Sequence, residues 1–126
     1  MPYAYDDDNI FAKILRDEIP NDTVMETEHT LAFRDIRPQA KTHVLVIPKG
    51  KYVNHDHFCL EASEAEIVDF NRVAGQVCAA LELQPTEGAG GYRVISNAGG
   101  DAGQEVPHYH IHILGGGSLG PMLSRL

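Results

Sequence analysis

Three histidines spaced two apart, in the run His108-Tyr109-His110-Ile111-His112, constrain this chain more than any other feature. On a β-strand this spacing puts the three imidazoles on one face and Tyr109, Ile111 and Ile113 on the other. Same-face neighbours stand about 6.5–7 Å apart along a strand, so one phosphate-sized group spans two of them. Imidazoles titrate near neutral pH, which suits nucleophilic, acid/base or metal-ligand chemistry. Three on one face are hard to read as packing alone, because each desolvated ring needs a hydrogen-bond partner. Metal binding is the stronger rival reading, with His43 and Glu105 available to complete a ligand set.

The 126 residues suit one domain, residues 1–126, with a core of its own, and 43% of them are hydrophobic. A formal charge of −8 argues against a broad surface for nucleic acid or anionic membrane. It leaves room for a small anionic substrate held by oriented main-chain N–H groups. Cys59 and Cys78 form no CxxC pair and are expected as reduced thiols. No basic-then-apolar leader and no membrane-length apolar run is visible, so a cytoplasmic protein is expected.

Residues 1–7 read as a loose tail, after which Asp7 or Asp8 caps a short helix from Ile10 to Arg16. Strands are predicted over Val24–Glu26, Leu31–Asp35, Thr42–Ile47, Tyr92–Ser96 and Val106–Leu114. Ser63-Glu64-Ala65-Glu66 is a capping box that opens one long helix, Glu64 to Leu83. Ile67, Phe70, Ala74, Val77 and Leu81 form its apolar stripe, while Asp69 reads as solvated. Strands and helices are segregated. That predicts an α+β fold with an antiparallel sheet of about five strands, one long helix and one short helix. The glycine-rich loop Asn97 to Glu105 feeds directly into the histidine strand, and glycine lets backbone N–H groups approach an anion closely.

His108 to Leu114 reads H-Y-H-I-H-I-L, which resembles the signature of the histidine-triad (HIT) nucleotide-binding family. The segments Ile10 to Ile14, Ile19-Pro20, Leu31 to Ala40, Thr42 to Lys49 and Gly103-Gln104 resemble that family's landmarks in the right order, over roughly residues 10–116. Within the family the chain is most similar to the Hint, or purine nucleoside phosphoramidase, branch. The resemblance implies an HIT-like sheet, a homodimer, a purine nucleotide or nucleotidyl conjugate as substrate, and no cofactor. It also implies cleavage of nucleoside 5′-phosphoramidates to the nucleoside monophosphate through a nucleotidyl-histidine.

By the same resemblance His110 is the nucleophile, His112 contacts phosphate oxygen or the leaving group, and His108 and His43 support the site. A nucleophilic imidazole must keep one nitrogen unprotonated, so the other is expected to donate to a fixed acceptor such as a backbone carbonyl. Asp35 matches the residue that takes the ribose hydroxyls. Phe33, Ile36 and Ile10 match apolar positions around the base. Asn97 matches a phosphate-contacting amide, and Gly103 with Gln104 begins the segment whose backbone N–H groups meet the phosphate.

Three positions depart from the family pattern. Glu105 stands where the branch has Ser or Thr near the leaving group; a carboxylate cannot donate there, so it is expected to point outward or to inhibit weakly. Asn9 and Ala12 replace the zinc-binding Cys-x-x-Cys of several bacterial relatives, which implies no structural zinc. The segment Gly115 to Leu126 contains no Trp. The competing functions are a dinucleoside polyphosphate hydrolase, a nucleotide- or partner-binding protein with residual activity, and a metal-dependent enzyme.

Overall fold

The central strand is apolar from its third residue on, and that dictates the layering. Thr42–Pro48 reads THVLVIP and is buried from its second residue on, so both faces of the sheet must be covered. The computed structural model describes residues 3–124. Its elements are α1 (Ile10–Leu15), β1 (Thr23–Glu26), β2 (Thr30–Arg34), β3 (Thr42–Pro48), α2 (His55–Glu61), α3 (Glu64–Ala80), β4 (Tyr92–Ile95), a 3-10 turn (Gly100–Ala102) and β5 (Ile111–Gly115). The strands form one antiparallel sheet in the order β1-β2-β3-β5-β4.

Alternation along β3 sorts two cores. Val44 and Val46 pack with Ala32, Ile111 and Ile113 beneath Phe70, Val73 and Val77 of α3. Leu45 and Ile47 pack on the other face with Leu31 and Phe33, against Phe11 and Ile14 of α1. The second face is only partly covered by the short α1, and the gap beside it is where the histidines stand.

The sheet matches the predicted α+β antiparallel architecture of five strands, and the helix count differs. α2 adds a third α-helix; its sequence HDHFCLE buries only His57 and Phe58, too little to show an apolar stripe. α3 ends at Ala80 rather than Leu83, because Glu82 takes the left-handed backbone conformation at φ 59°. The capping box forms as read, Ser63 and Glu66 each bonding the other's backbone. Asn9, not Asp7 or Asp8, caps α1 by accepting from the Ala12 N–H at 2.9 Å. Asp69 is not simply solvated: it accepts from the hydroxyls of Thr27 and Thr30 at 2.6 and 2.8 Å, tying α3 to the β1–β2 turn.

The expected loose tail is docked from Tyr3 onward; Met1 and Pro2 lie outside the described residues. Tyr3 donates to Asp56 at 2.6 Å and stacks on His57, its ring centroid 4.2 Å away. Asp7 pairs with Lys51 at 2.7 Å. No described helix is long and apolar enough to cross a membrane.

Candidate active site

β5 is shorter than the predicted strand Val106–Leu114, and the reason lies in its partner. The β3–β5 ladder runs from Thr42↔Gly115 to Val46↔Ile111 and stops there. Two positions further along β3 stands Pro48, which has no N–H to give. Tyr109 donates instead to the Tyr52 carbonyl at 2.7 Å, and the Pro48 carbonyl is taken by the His108 side chain. His108 and His110 therefore precede the ladder and only His112 lies within it. The predicted alternation survives: Tyr109, Ile111 and Ile113 join the α3 core. The rings of His108 and His110 both meet the edge of Phe11. His112 pairs directly with Leu45, which puts it on the same face as His43.

Main-chain groups assign the protons on all four imidazoles. His108 Nε2 lies 2.8 Å from the Pro48 carbonyl and so carries the hydrogen; its Nδ1 accepts from the Tyr5 hydroxyl at 2.6 Å. His110 Nδ1–H donates to the His108 carbonyl at 2.8 Å, leaving Nε2 with a free lone pair. His43 Nδ1 accepts the Gln39 N–H at 3.0 Å, so Nε2 holds its proton and donates to His112 Nδ1 at 2.9 Å. His112 is then protonated on Nε2. The cleft thus receives a nucleophilic nitrogen from His110 and an N–H donor from His112, with the two rings 5.1 Å apart.

Electrostatics keep this pattern neutral. Burial pulls His108 and His112 down to about 4, assisted at His112 by the neighbouring His110 and His43. Burial also lowers His110 and His43; the Asp35 carboxylate opposes it at both, without reversing it. The 3.4 Å contact between Asp35 Oδ2 and His43 Nε2 is therefore an N–H facing a carboxylate rather than an ion pair. Asp35, His43 and His112 bring one ligand atom each within 4.8 Å, close enough for a metal. The donor set does not suit one as it stands, because the His43 lone pair is spent on Gln39 and its Nε2 carries hydrogen. Asn9 and Ala12 offer no soft ligand, and the Asn9 amide is engaged in the helix cap.

His110 and His112 open into one of two adjoining cavities. The smaller, about 170 Å³, is lined by His110, His112, Asp35, Asn97, Gly103 and Glu105, among others. The larger, about 250 Å³, is mainly apolar and includes Ile10, Phe33, Ile36 and Asp35 in its wall. Two roomier surface hollows, of about 460 and 550 Å³, lie elsewhere and carry no histidine among the described residues.

Most of the predicted residues converge here. Their places differ. His108 lines neither cavity and lies fully buried behind them. Gln104 lines neither; its side chain braces the loop by accepting from Gly99 N–H at 3.0 Å and donating to the Val53 and Val106 carbonyls. The N–H groups of Gly103 and Gln104, expected to meet a phosphate, are used within the 3-10 turn by Gly100 and Gly99. Those of Glu105 and Val106, at the cavity wall, have no internal acceptor among the described residues. Glu105 is exposed and borders both cavities. Asp35 also accepts the Arg37 N–H at 2.8 Å, closing a turn.

Sequence reasoning missed Phe11, Leu45, Val106 and Gln39 as cleft residues. Phe11 lies on the buried face of α1, where an apolar side chain passes for ordinary core. Gln39 acts through its main-chain N–H, which no side-chain pattern records.

The HIT domain family model matches residues 16–119. A 13.2 kDa HIT-like protein of Azospirillum brasilense is 54% identical over 129 residues, 99% of this chain and 99% of that protein. Purine nucleoside phosphoramidase of Escherichia coli (strain K12) is 40% identical over 121 residues, 94% of this chain and 96% of its own length. Among solved structures, a histidine triad protein from Clostridium difficile is similar with a TM-score of 0.80 at 37% identity, covering 95% of this chain and 100% of that one.

The depressed imidazoles make stability depend on pH. In the unfolded chain His108 and His112 take up protons near the ordinary 6.5, whereas the folded sites resist protonation down to about 4. The unfolded state thus binds more protons as pH falls through 6.5, and the fold loses stability on the way down. Calorimetry should find the melting temperature falling between pH 6.5 and about 5, above the carboxylate range. A flat melting temperature across that interval would contradict neutral, buried histidines.

Proposed function

The chain belongs to the HIT family, and from that membership we propose that it is a hydrolase transferring a nucleotidyl group to water, with nucleoside 5′-phosphoramidates or related conjugates as substrates. The observation that carries this reading is the proton assignment: His110 Nε2 has a free lone pair and His112 Nε2 carries hydrogen, in one cleft. The name of the Escherichia coli relative supports the phosphoramidate preference.

In this reading the nucleobase enters the apolar cavity beside Phe33, Ile10 and Ile36, and Asp35 at the junction accepts from the ribose hydroxyls. His110 Nε2 attacks the α-phosphorus; the new N–P bond forms as the P–N bond to the departing amine breaks. The departing nitrogen accepts a hydrogen bond from His112 Nε2–H and takes its proton from water. A second water then attacks the phosphorus, gives up a proton to the hydroxide left behind, and releases nucleoside monophosphate as the N–P electron pair goes back to His110. Asn97 and the N–H groups of Glu105 and Val106 face the phosphate oxygens. The same reading sets the chain in a reducing cytoplasm, where Cys59 and Cys78 stay thiols.

We also propose a homodimer. β4 lies at the edge of the sheet with one side of its ladder open. Tyr92 and Val94 on it, and Val68 on α3, are exposed apolar side chains. A second copy of the chain, related by a two-fold axis, covers an edge of this kind with the same residues from both partners.

Three measurements test these proposals. His110→Asn keeps size and polarity without the nucleophile, so turnover of an adenosine phosphoramidate falls by several orders of magnitude while nucleoside monophosphate still binds. Retention of more than a few per cent of turnover would sink the assignment. Glu105→Ser removes a carboxylate that repels the phosphate and adds a donor; turnover rises by up to ~10-fold, about 1.4 kcal/mol of barrier. A loss beyond about 100-fold would instead make Glu105 a general acid or base. Sedimentation at micromolar concentration yields a dimer for the natural chain and a monomer for Val94→Arg; a natural monomer refutes the proposal.

A further inference from the structure

The triad strand is held from an unexpected direction. The Tyr5 hydroxyl reaches across from the start of the chain to His108 Nδ1 at 2.6 Å, 103 residues away in sequence. Its orientation is not free. His108 Nε2 is committed to the Pro48 carbonyl, so the neutral ring has one lone pair, on Nδ1, and the phenol must donate to it. His108 is 0% exposed, so no water replaces that donor without opening the site. The segment that carries Tyr5 is itself anchored. Asn9 donates to the Asp6 carbonyl at 2.8 Å, Arg16 donates to the Asp7 carbonyl at 2.9 Å, and Lys51 pairs with Asp7 at 2.7 Å. The Lys51 ammonium also sits 5.9 Å from the centre of the Tyr5 ring.

His108 matters to the cleft through its backbone. Its carbonyl accepts the Nδ1–H of His110 and so decides which nitrogen of His110 is free. The ladder that would hold this stretch has already stopped at Ile111. The Tyr109 N–H bond to the Tyr52 carbonyl and the His108 ring, pinned by Pro48 on one side and Tyr5 on the other, take its place. Tyr5 lines neither cavity.

We propose that Tyr5 is a positioning residue of the triad: its hydroxyl locks the His108 ring, and thereby the His108 carbonyl that holds His110 in its nucleophilic tautomer. The proposal rests on the hydrolytic reading for its kinetic consequence and not for its structural one. The test pairs steady-state kinetics on adenosine 5′-phosphoramidate with nitrogen-15 NMR of the histidine rings in the full chain.

In the natural protein the spectra should show His108 protonated on Nε2 and His110 on Nδ1. In Tyr5→Phe the His108 Nδ1 signal moves out of its hydrogen-bonded range, kcat falls about tenfold, and KM stays within twofold. Tyr3→Phe, which loses only the bond to Asp56 and keeps the stack on His57, retains the natural kcat. A natural His108 protonated on Nδ1 overturns the proposal, as does a Tyr5→Phe kcat within twofold of the natural value. An equal loss in Tyr3→Phe also overturns it, by tracing the effect to docking of the segment. If His110→Asn remains active, the hydrolytic reading fails while the spectra still decide the role of Tyr5.

Discussion

The 2.8 Å bond from His110 Nδ1–H to the carbonyl of His108 is the contact on which the cleft depends. It is a main-chain acceptor, so it cannot titrate away and changes little with side-chain motion. Without it, His110 would be free to exchange tautomers, and a lone pair would face the cleft only part of the time. The same device recurs at His108 through Pro48 and at His43 through Gln39. Four imidazoles gathered in a partly dry space would otherwise compete for protons. Instead the backbone distributes them, and His112 receives its tautomer second-hand through His43.

That arrangement explains why burial is tolerated. A desolvated imidazole with an unmet nitrogen costs free energy, on the order of 1–3 kcal/mol per missing bond. Among the described residues no buried side-chain nitrogen or oxygen lacks a partner. Burial lowers the affinity of the rings for protons, and the hydrogen bonds make the neutral forms comfortable. Both effects favour the state in which His110 can act as a nucleophile near neutral pH.

Much of this was legible in the sequence, for identifiable reasons. The period-two histidines reported their shared face because alternation survives even where the ladder does not. The capping box located α3, since both of its reciprocal bonds are local. What escaped was set by main-chain groups and by distant pairs. Gln39 contributes an N–H, a group every non-proline residue has. Tyr5 meets His108 across nearly the whole chain, and the short segment that carries it shows no pattern pointing to a distant strand. The end of β5 depended on Pro48 in another strand, and α2 on a single asparagine cap with only His57 and Phe58 buried.

Ile36 stands 86% exposed at the wall of the apolar cavity, beside Ile10 at 42%. Such side chains hold water in a state whose heat capacity is higher than that of bulk contact with other groups. A flat ring entering the cavity releases that water. Its arrival therefore carries a negative change in heat capacity, distinct from any charge interaction made by the phosphate. On the proposed reading, the temperature dependence of binding enthalpy would separate the two halves of a nucleotide: the slope would belong to the base, and the salt dependence to the phosphate.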